Sequence, residues 1–268
     1  MPAGYHIVVC GTLVPDPLQT LAPVTGPQGP GLKHEMMLPS VLDPWAAHAL
    51  YEAAHLAEQQ AGSCVWLVSL GPKQRLQQLM MSVAQKVRFR LVACDGSASG
   101  FTDAVEVASA LAAAIGGIAE LDRDRLLLFG GCASASRDAG ATLQIVGEKL
   151  GIAEQFMAVD ELLVQEDGRL RFKERVEGGR YLVSVCSGPP VVVGWATGNL
   201  PEPPNNPQIG MQNMREVMPA LQRAQPIRLD AGPTYLDVSV PPQRRSTRVV
   251  RGLDAEAIAA ELVAWIRG

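Results

Sequence analysis

RLLLFGGCASASRDAGATLQIVGEKL, residues Arg125 to Leu150, decides how this chain is read. Leu126 to Phe129 is a short apolar run of the kind that fills a fully buried strand of a parallel sheet. It empties into Gly130-Gly131 and a series of small residues. A helix is predicted from near Asp138, with Leu143, Val146, Lys149 and Leu150 at helical spacing. A strand, a small-residue turn and a helix start together offer unpaired backbone N–H groups and a helix dipole to an anion. Ser134 and Ser136 add hydroxyls, and Arg137 adds a positive charge. An ordinary strand-to-helix turn that binds nothing has the same pattern, and this stretch alone leaves both readings open.

Working outward to the N-terminal side, Tyr5 to Cys10 reads as a first strand with Gly11 at its exit. Thr12 to Ser40 is rich in proline and glycine and too long for an idle connection. Asp43-Pro44 then signals a helix, with the acid as cap and proline at the first helical position, running to about Gln60. Cys64 to Leu70 is a second buried strand, Lys73 to Lys86 a helix, and Val87 to Cys94 a third strand. The turn Asp95 to Gly100 leads to an alanine-rich helix over Phe101 to Ile115. The order βαβαβαβα implies a parallel sheet with right-handed crossovers. Ligands of such sheets sit beyond the carboxyl ends of the strands, where strand order reverses. The exits after Cys10, Leu70, Cys94 and Phe129 are therefore expected to converge on one crevice.

On the C-terminal side the pattern changes. Phe156 to Val164, Arg169 to Val176 and Arg180 to Cys186 read as a β-meander, and Val191 to Trp195 as one more buried strand. Thr197 to Asn213 reads as an exposed loop, and Met214 to Arg223 as a short helix. Asp230 to Val250 reads as an extended arm, and Asp254 to Arg267 as a closing amphipathic helix bearing Ile258, Leu262, Trp265 and Ile266. The expected domains are 1–229, an α/β unit with its meander, and 230–268, an arm and helix.

Composition narrows the function classes. A net charge of −4 over 268 residues argues against a duplex nucleic-acid binder, which needs a basic face. No apolar run approaches the ~20 residues of a membrane span, so no membrane insertion is expected. The five cysteines, Cys10, Cys64, Cys94, Cys132 and Cys186, show no C-x-x-C pair and fit a reducing cytoplasm. His48 and His55 share a helix face, but a metal needs more ligands at better spacing. No G-x-S-x-G, H-E-x-x-H or P-loop occurs.

Four stretches carry a family resemblance. They are LDPWAAHALYEAAHLAE (Leu42 to Glu58), VSLGP (Val68 to Pro72), NMREVMPALQRAQPI (Asn213 to Ile227) and Pro241-Pro242-Gln243-Arg244. In this order they resemble the beta subunit of an electron-transfer flavoprotein, the FixA-like family. The resemblance implies an α/β fold with an open, mainly parallel twisted sheet and helices on both faces, adenine nucleotide alpha-hydrolase-like. To this are added a β-meander and an extended C-terminal arm.

It further implies a subunit of a heterodimer that passes electrons from a flavin dehydrogenase to a quinone reductase or similar acceptor. Such a subunit is an electron carrier rather than a catalyst with its own substrate. FAD would be held mainly by the alpha subunit and AMP by this one. Carried over position by position, the nucleotide contacts fall on Cys10, Asp43, Pro44, Trp45, Ala46 and Leu70. They continue at Ala133, Ser134, Ser136, Arg137, Asp138, Gly140, Ala141 and Thr142. Gln208, Ile209, Met211 and Met214 match the segment that docks the dehydrogenase. The family's Asn is Asp43 here, and an acid repels a nearby phosphate. The second flavin of bifurcating relatives lacks its pattern, since Asp103 is followed by Ala104. Two alternatives remain: a stand-alone adenine-nucleotide-binding or hydrolysing α/β protein, and a scaffold subunit that has lost its nucleotide.

Overall fold

Short apolar runs closed by glycine or a polar turn become strands, and the amphipathic runs between them become helices. In chain order the strands are β1 (His6–Cys10), β2 (Leu13–Pro15), β3 (Pro23–Gly26), β4 (Gly29–Leu32), β5 (Ser40–Leu42), β6 (Cys64–Gly71), β7 (Arg90–Asp95), β8 (Leu126–Gly131), β9 (Gln155–Val164), β10 (Leu170–Val176), β11 (Arg180–Cys186) and β12 (Val191–Trp195). The helices are α1 (Pro44–Gln59), α2 (Lys73–Val83), α3 (Ala104–Gly116), α4 (Ala141–Lys149), α5 (Pro207–Arg223) and α6 (Ala255–Arg267). The computed structural model describes residues 4–26, 29–97, 101–136, 140–197, 199–229, 232–233, 239, 241–242 and 247–267. The chain divides into two units, Met1–Val238 and Ser239–Gly268.

The first unit is an eight-stranded sheet in the order β11-β10-β9-β12-β8-β1-β6-β7. The run from β9 to β7 is parallel throughout, and β10 and β11 extend it as an antiparallel meander. Side chains alternate between two cores, as the two-residue period of a strand requires. Ile7, Val9, Leu127 and Phe129 face α1, α2 and α5. Val8, Cys10, Leu126 and Leu128 face α3 and α4. The open, mostly parallel α/β fold read from the sequence is therefore the one present. Phe129 and Trp195 are both buried and meet edge-on with centroids 5.4 Å apart. Each such side chain contributes about 2–3 kcal/mol by burial.

Strand order reverses at β1. The chain moves outward from β1 to β6 and β7, then returns to place β8 on the other side of β1. The exits of β1 and β8 thus flank the switch point, where a parallel sheet leaves a crevice.

Several boundaries differ from the expectation. The segment 12–40 is not a bare loop. It folds into two antiparallel ribbons, β2 with β5 and β3 with β4. Strands of three or four residues are too short for periodicity to register. The helix expected from Asp138 starts at Ala141, capped by Gly140 at φ 57°, while Arg137 and Asp138 lie outside the described residues. The loop expected over 197–213 ends at Asn206, whose side chain accepts from the N–H groups of Gln208 and Ile209 and starts α5 at Pro207. The third strand starts at Arg90 rather than Val87, because the Val87 carbonyl is taken by the Asn213 side chain at 2.6 Å.

In the second unit, α6 is capped by Asp254, which accepts from the N–H of Ala257 at 2.8 Å. An Arg248–Glu261 ion pair at 3.1 Å ties the preceding segment to the helix. Ile258, Leu262 and Trp265 form an exposed apolar stripe at helical spacing. Of the arm, Leu236, Val238, Val240, Gln243 and Arg244 lie outside the described residues, while Pro241 and Pro242 are exposed.

Candidate functional site

The crevice at the switch point is built by small residues that let three elements close on one strand edge. A Cβ on Gly131 would lie 2.4 Å from the Trp45 Cβ, and one on Gly130 would lie 2.9 Å from Leu143 Cδ1. The two glycines thus admit the first turn of α1 and the first turn of α4 to the exit of β8. Gly140 also approaches Cys132 closely: a Cβ on Gly140 would sit 1.9 Å from the Cys132 carbonyl oxygen.

Asp43 joins these parts. As the cap of α1 it accepts the Trp45 N–H on Oδ1 at 3.1 Å. Its Oδ2 accepts from the Ser134 hydroxyl at 2.9 Å and from the Ala135 N–H at 2.9 Å. Its own N–H donates to the Thr12 carbonyl at 3.0 Å, fastening the exit of β1. The side chain is buried. Burial raises its pKa above the usual carboxylate value, and the donors from Ala135, Ser134, Trp45 and Ala46 oppose that rise. The Ser136 hydroxyl lies 2.8 Å from that of Ser134, extending the chain of hydroxyls toward solvent.

The space enclosed has a volume of 110 Å3. Of the sequence-predicted residues, Cys10, Asp43, Ala46, Ala133, Ser134, Ser136 and Thr142 line it. Pro44 faces a separate cavity beside His48 and Tyr51, and Trp45 is half-buried against Gly131. Leu70 is fully buried in the sheet core, so its side chain does not reach the cavity. Gly140 and Ala141 form the start of α4. The exits of β1 and β8 therefore converge. The exit of β6 contributes Arg75 from the helix that follows, and the exit of β7 contributes Thr102.

Arg75, Thr12, Thr102 and Glu35 are lining residues that sequence reasoning missed. Arg75 donates from Nη2 to the Glu35 carbonyl, and Glu35 Oε2 accepts the Leu32 N–H at 3.2 Å. The one legible signal was that a helix beginning at Lys73, right after a strand exit, carries its third residue over the sheet edge. Burial, with Cys94 nearby, pushes the Cys10 thiol up to about 12, so it meets the cavity as a neutral thiol. Cys94 is pushed to about 11 by burial.

The fit to AMP divides in two. Small apolar and hydroxyl-bearing walls suit a base and a sugar. The Ser134 hydroxyl and Ala135 N–H, which a phosphate at this loop would require, are already turned onto a carboxylate. Small-molecule sites usually enclose about 300 Å3 or more, so a ligand of nucleotide size would extend beyond this space.

The predicted docking residues sit on the first turns of α5, not on a loop. Gln208 and Met211 are exposed, Ile209 is half-buried, and Met214 packs with Met218 against the core. Met81, Met211 and Met214 line one shallow apolar cavity there with Arg215. Among the described residues no group of three or more metal-ligating side chains gathers, and no helix is long and apolar enough to cross a membrane.

Residues 34–220 match the electron transfer flavoprotein domain. No curated protein matches the chain.

Proposed function

The chain belongs to the electron transfer flavoprotein family, and from that premise we propose that it is the beta subunit of a heterodimeric electron carrier. The observation that supports this reading is the crevice at the reversal of strand order, lined in part by the matched residues and closed by Asp43. A flavin, when bound, supplies the one- and two-electron chemistry. The flavin of such a carrier is held chiefly by an alpha subunit, and this chain supplies one wall of the assembly. Its own residues orient and exclude: Asp43 fixes the 133–136 loop and the first turn of α1, and the neutral Cys10 thiol lines the cavity floor. The donor is a flavin dehydrogenase, docked on the α5 surface that carries Met211 and Met214, and the acceptor is a quinone reductase or a similar protein. The exposed stripe Ile258, Leu262 and Trp265 belongs against the alpha subunit, since an apolar helix face of this kind is ordinarily covered.

Expressing the chain with and without its alpha subunit, then identifying the small molecules released on denaturation, tests the reading. Flavin is expected only from the two-chain preparation. Phosphate released from ATP by the chain alone would instead support a stand-alone nucleotide hydrolase.

A further inference from the structure

We infer that Asp43 is an internal anion occupying the position where the 133–136 loop would hold a phosphate, so that the cleft takes a neutral, hydroxyl-bearing ligand of nucleoside class in place of a nucleotide. This rests on the reading of the crevice as the subunit's nucleotide site and specifies what that site accepts.

A loop that grips phosphate presents hydroxyls and backbone N–H groups to it. Here the Ser134 hydroxyl and the Ala135 N–H both point at Asp43 Oδ2, at 2.9 Å each. Oδ1 takes the Trp45 N–H at the start of α1, where the helix dipole favours negative charge. The carboxylate thus has the surroundings of a bound anion: a hydroxyl, a loop N–H and a helix N-terminus. It is also buried and linked through its own backbone to Thr12, so it cannot swing aside without releasing the cap of α1. A phosphate entering the same loop would meet a fixed like charge, with the Ser134 hydroxyl and the Ala135 N–H already given to it.

The remaining charges do not reverse this balance. Among the described lining residues the charged side chains are Glu35, Asp43 and Arg75. Arg75 gives one N–H to the Glu35 carbonyl, in the same turn as the Glu35 carboxylate. What remains along the wall is uncharged: the Ser136, Thr12 and Thr142 hydroxyls and the Cys10 thiol. A neutral sugar or base can pair with such groups, whereas a dianion meets two acids, Glu35 and Asp43, against the one base Arg75.

Calorimetric titration of adenosine and of AMP into the full chain, with any subunit that co-purifies, tests the inference. In the wild type AMP is expected to bind no more tightly than adenosine. In Asp43→Asn one oxygen still accepts the Trp45 N–H, the amide can donate to Ser134, and the Ala135 N–H is released. AMP affinity is then expected to rise tenfold or more over wild type, with adenosine changed less than threefold. Wild type binding AMP tenfold tighter than adenosine, an unchanged AMP affinity in the variant, or neither ligand binding either protein would overturn it. The wild-type comparison stands even where the variant does not fold. A preparation that carries flavin and its partner yet prefers AMP defeats this inference alone, and one that carries neither defeats the carrier reading.

Discussion

Gly140 shows how much of the crevice depends on single backbone positions. Its φ of 57° and the 1.9 Å approach of any Cβ to the Cys132 carbonyl leave no room for a side chain. Gly140→Ala is expected to cost about 2 kcal/mol or more, from the left-handed conformation and the displaced loop together. A urea midpoint equal to wild type would contradict this. His6 makes a second prediction. It is buried beside Trp66 and accepts the Asp122 N–H on Nδ1 at 2.9 Å. Burial first, then Arg125, lowers its pKa below the ordinary histidine value, although Asp122 and Glu120 pull the other way. The unfolded chain therefore binds a proton at His6 before the folded one does, and stability falls as pH drops below about 6.5. Urea midpoints between pH 7.5 and 5 are expected to fall less steeply in His6→Gln than in wild type, and parallel profiles would refute it. At this scale the sequence was legible where an effect is local. Asp43-Pro44 announces a helix cap, but the second use of the same carboxylate lies 91 residues away at Ser134. No spacing along the chain reveals that contact.

Elements were read well where their period was long and poorly where another signal competed. Strands β6, β8 and β12 are almost wholly apolar, Ser69 of β6 being the one polar side chain among them, and they lie where expected. The start of α5 was not, although Asn206-Pro207 carries the same cap-and-proline signal as Asp43-Pro44. The density of Pro and Asn over 197–213 reads as loop, and only the packing of Gly210, Asn213 and Val217 against the body makes the helix pay its ordering entropy. Asn213 is the fastening. Its Nδ2 donates to the carbonyls of Ala84 at 2.7 Å and Val87 at 2.6 Å, closing the end of α2 onto α5. Asn213→Ala is expected to destabilise by about 1–3 kcal/mol by leaving these carbonyls unsatisfied. Asn206→Ala removes only a cap and is expected to cost about 1 kcal/mol. Thermal unfolding of the two variants checks the ranking, and a larger loss in Asn206→Ala would contradict it.

The molecule as a whole follows from the alternation of strand and helix, which dictates a parallel sheet and puts the crevice beside β1. The same alternation does not say what fills the crevice or what covers the exposed stripe of α6, because both depend on groups the chain does not contain. The central claim is that this chain is one half of a flavin electron carrier. Light scattering coupled to size exclusion, with flavin absorbance recorded on the same peak, tests it most directly. This chain and an alpha subunit are expected to elute as a one-to-one complex carrying flavin that a dehydrogenase reduces. A monomer of this chain alone, carrying stoichiometric flavin and accepting electrons without a partner, would contradict it.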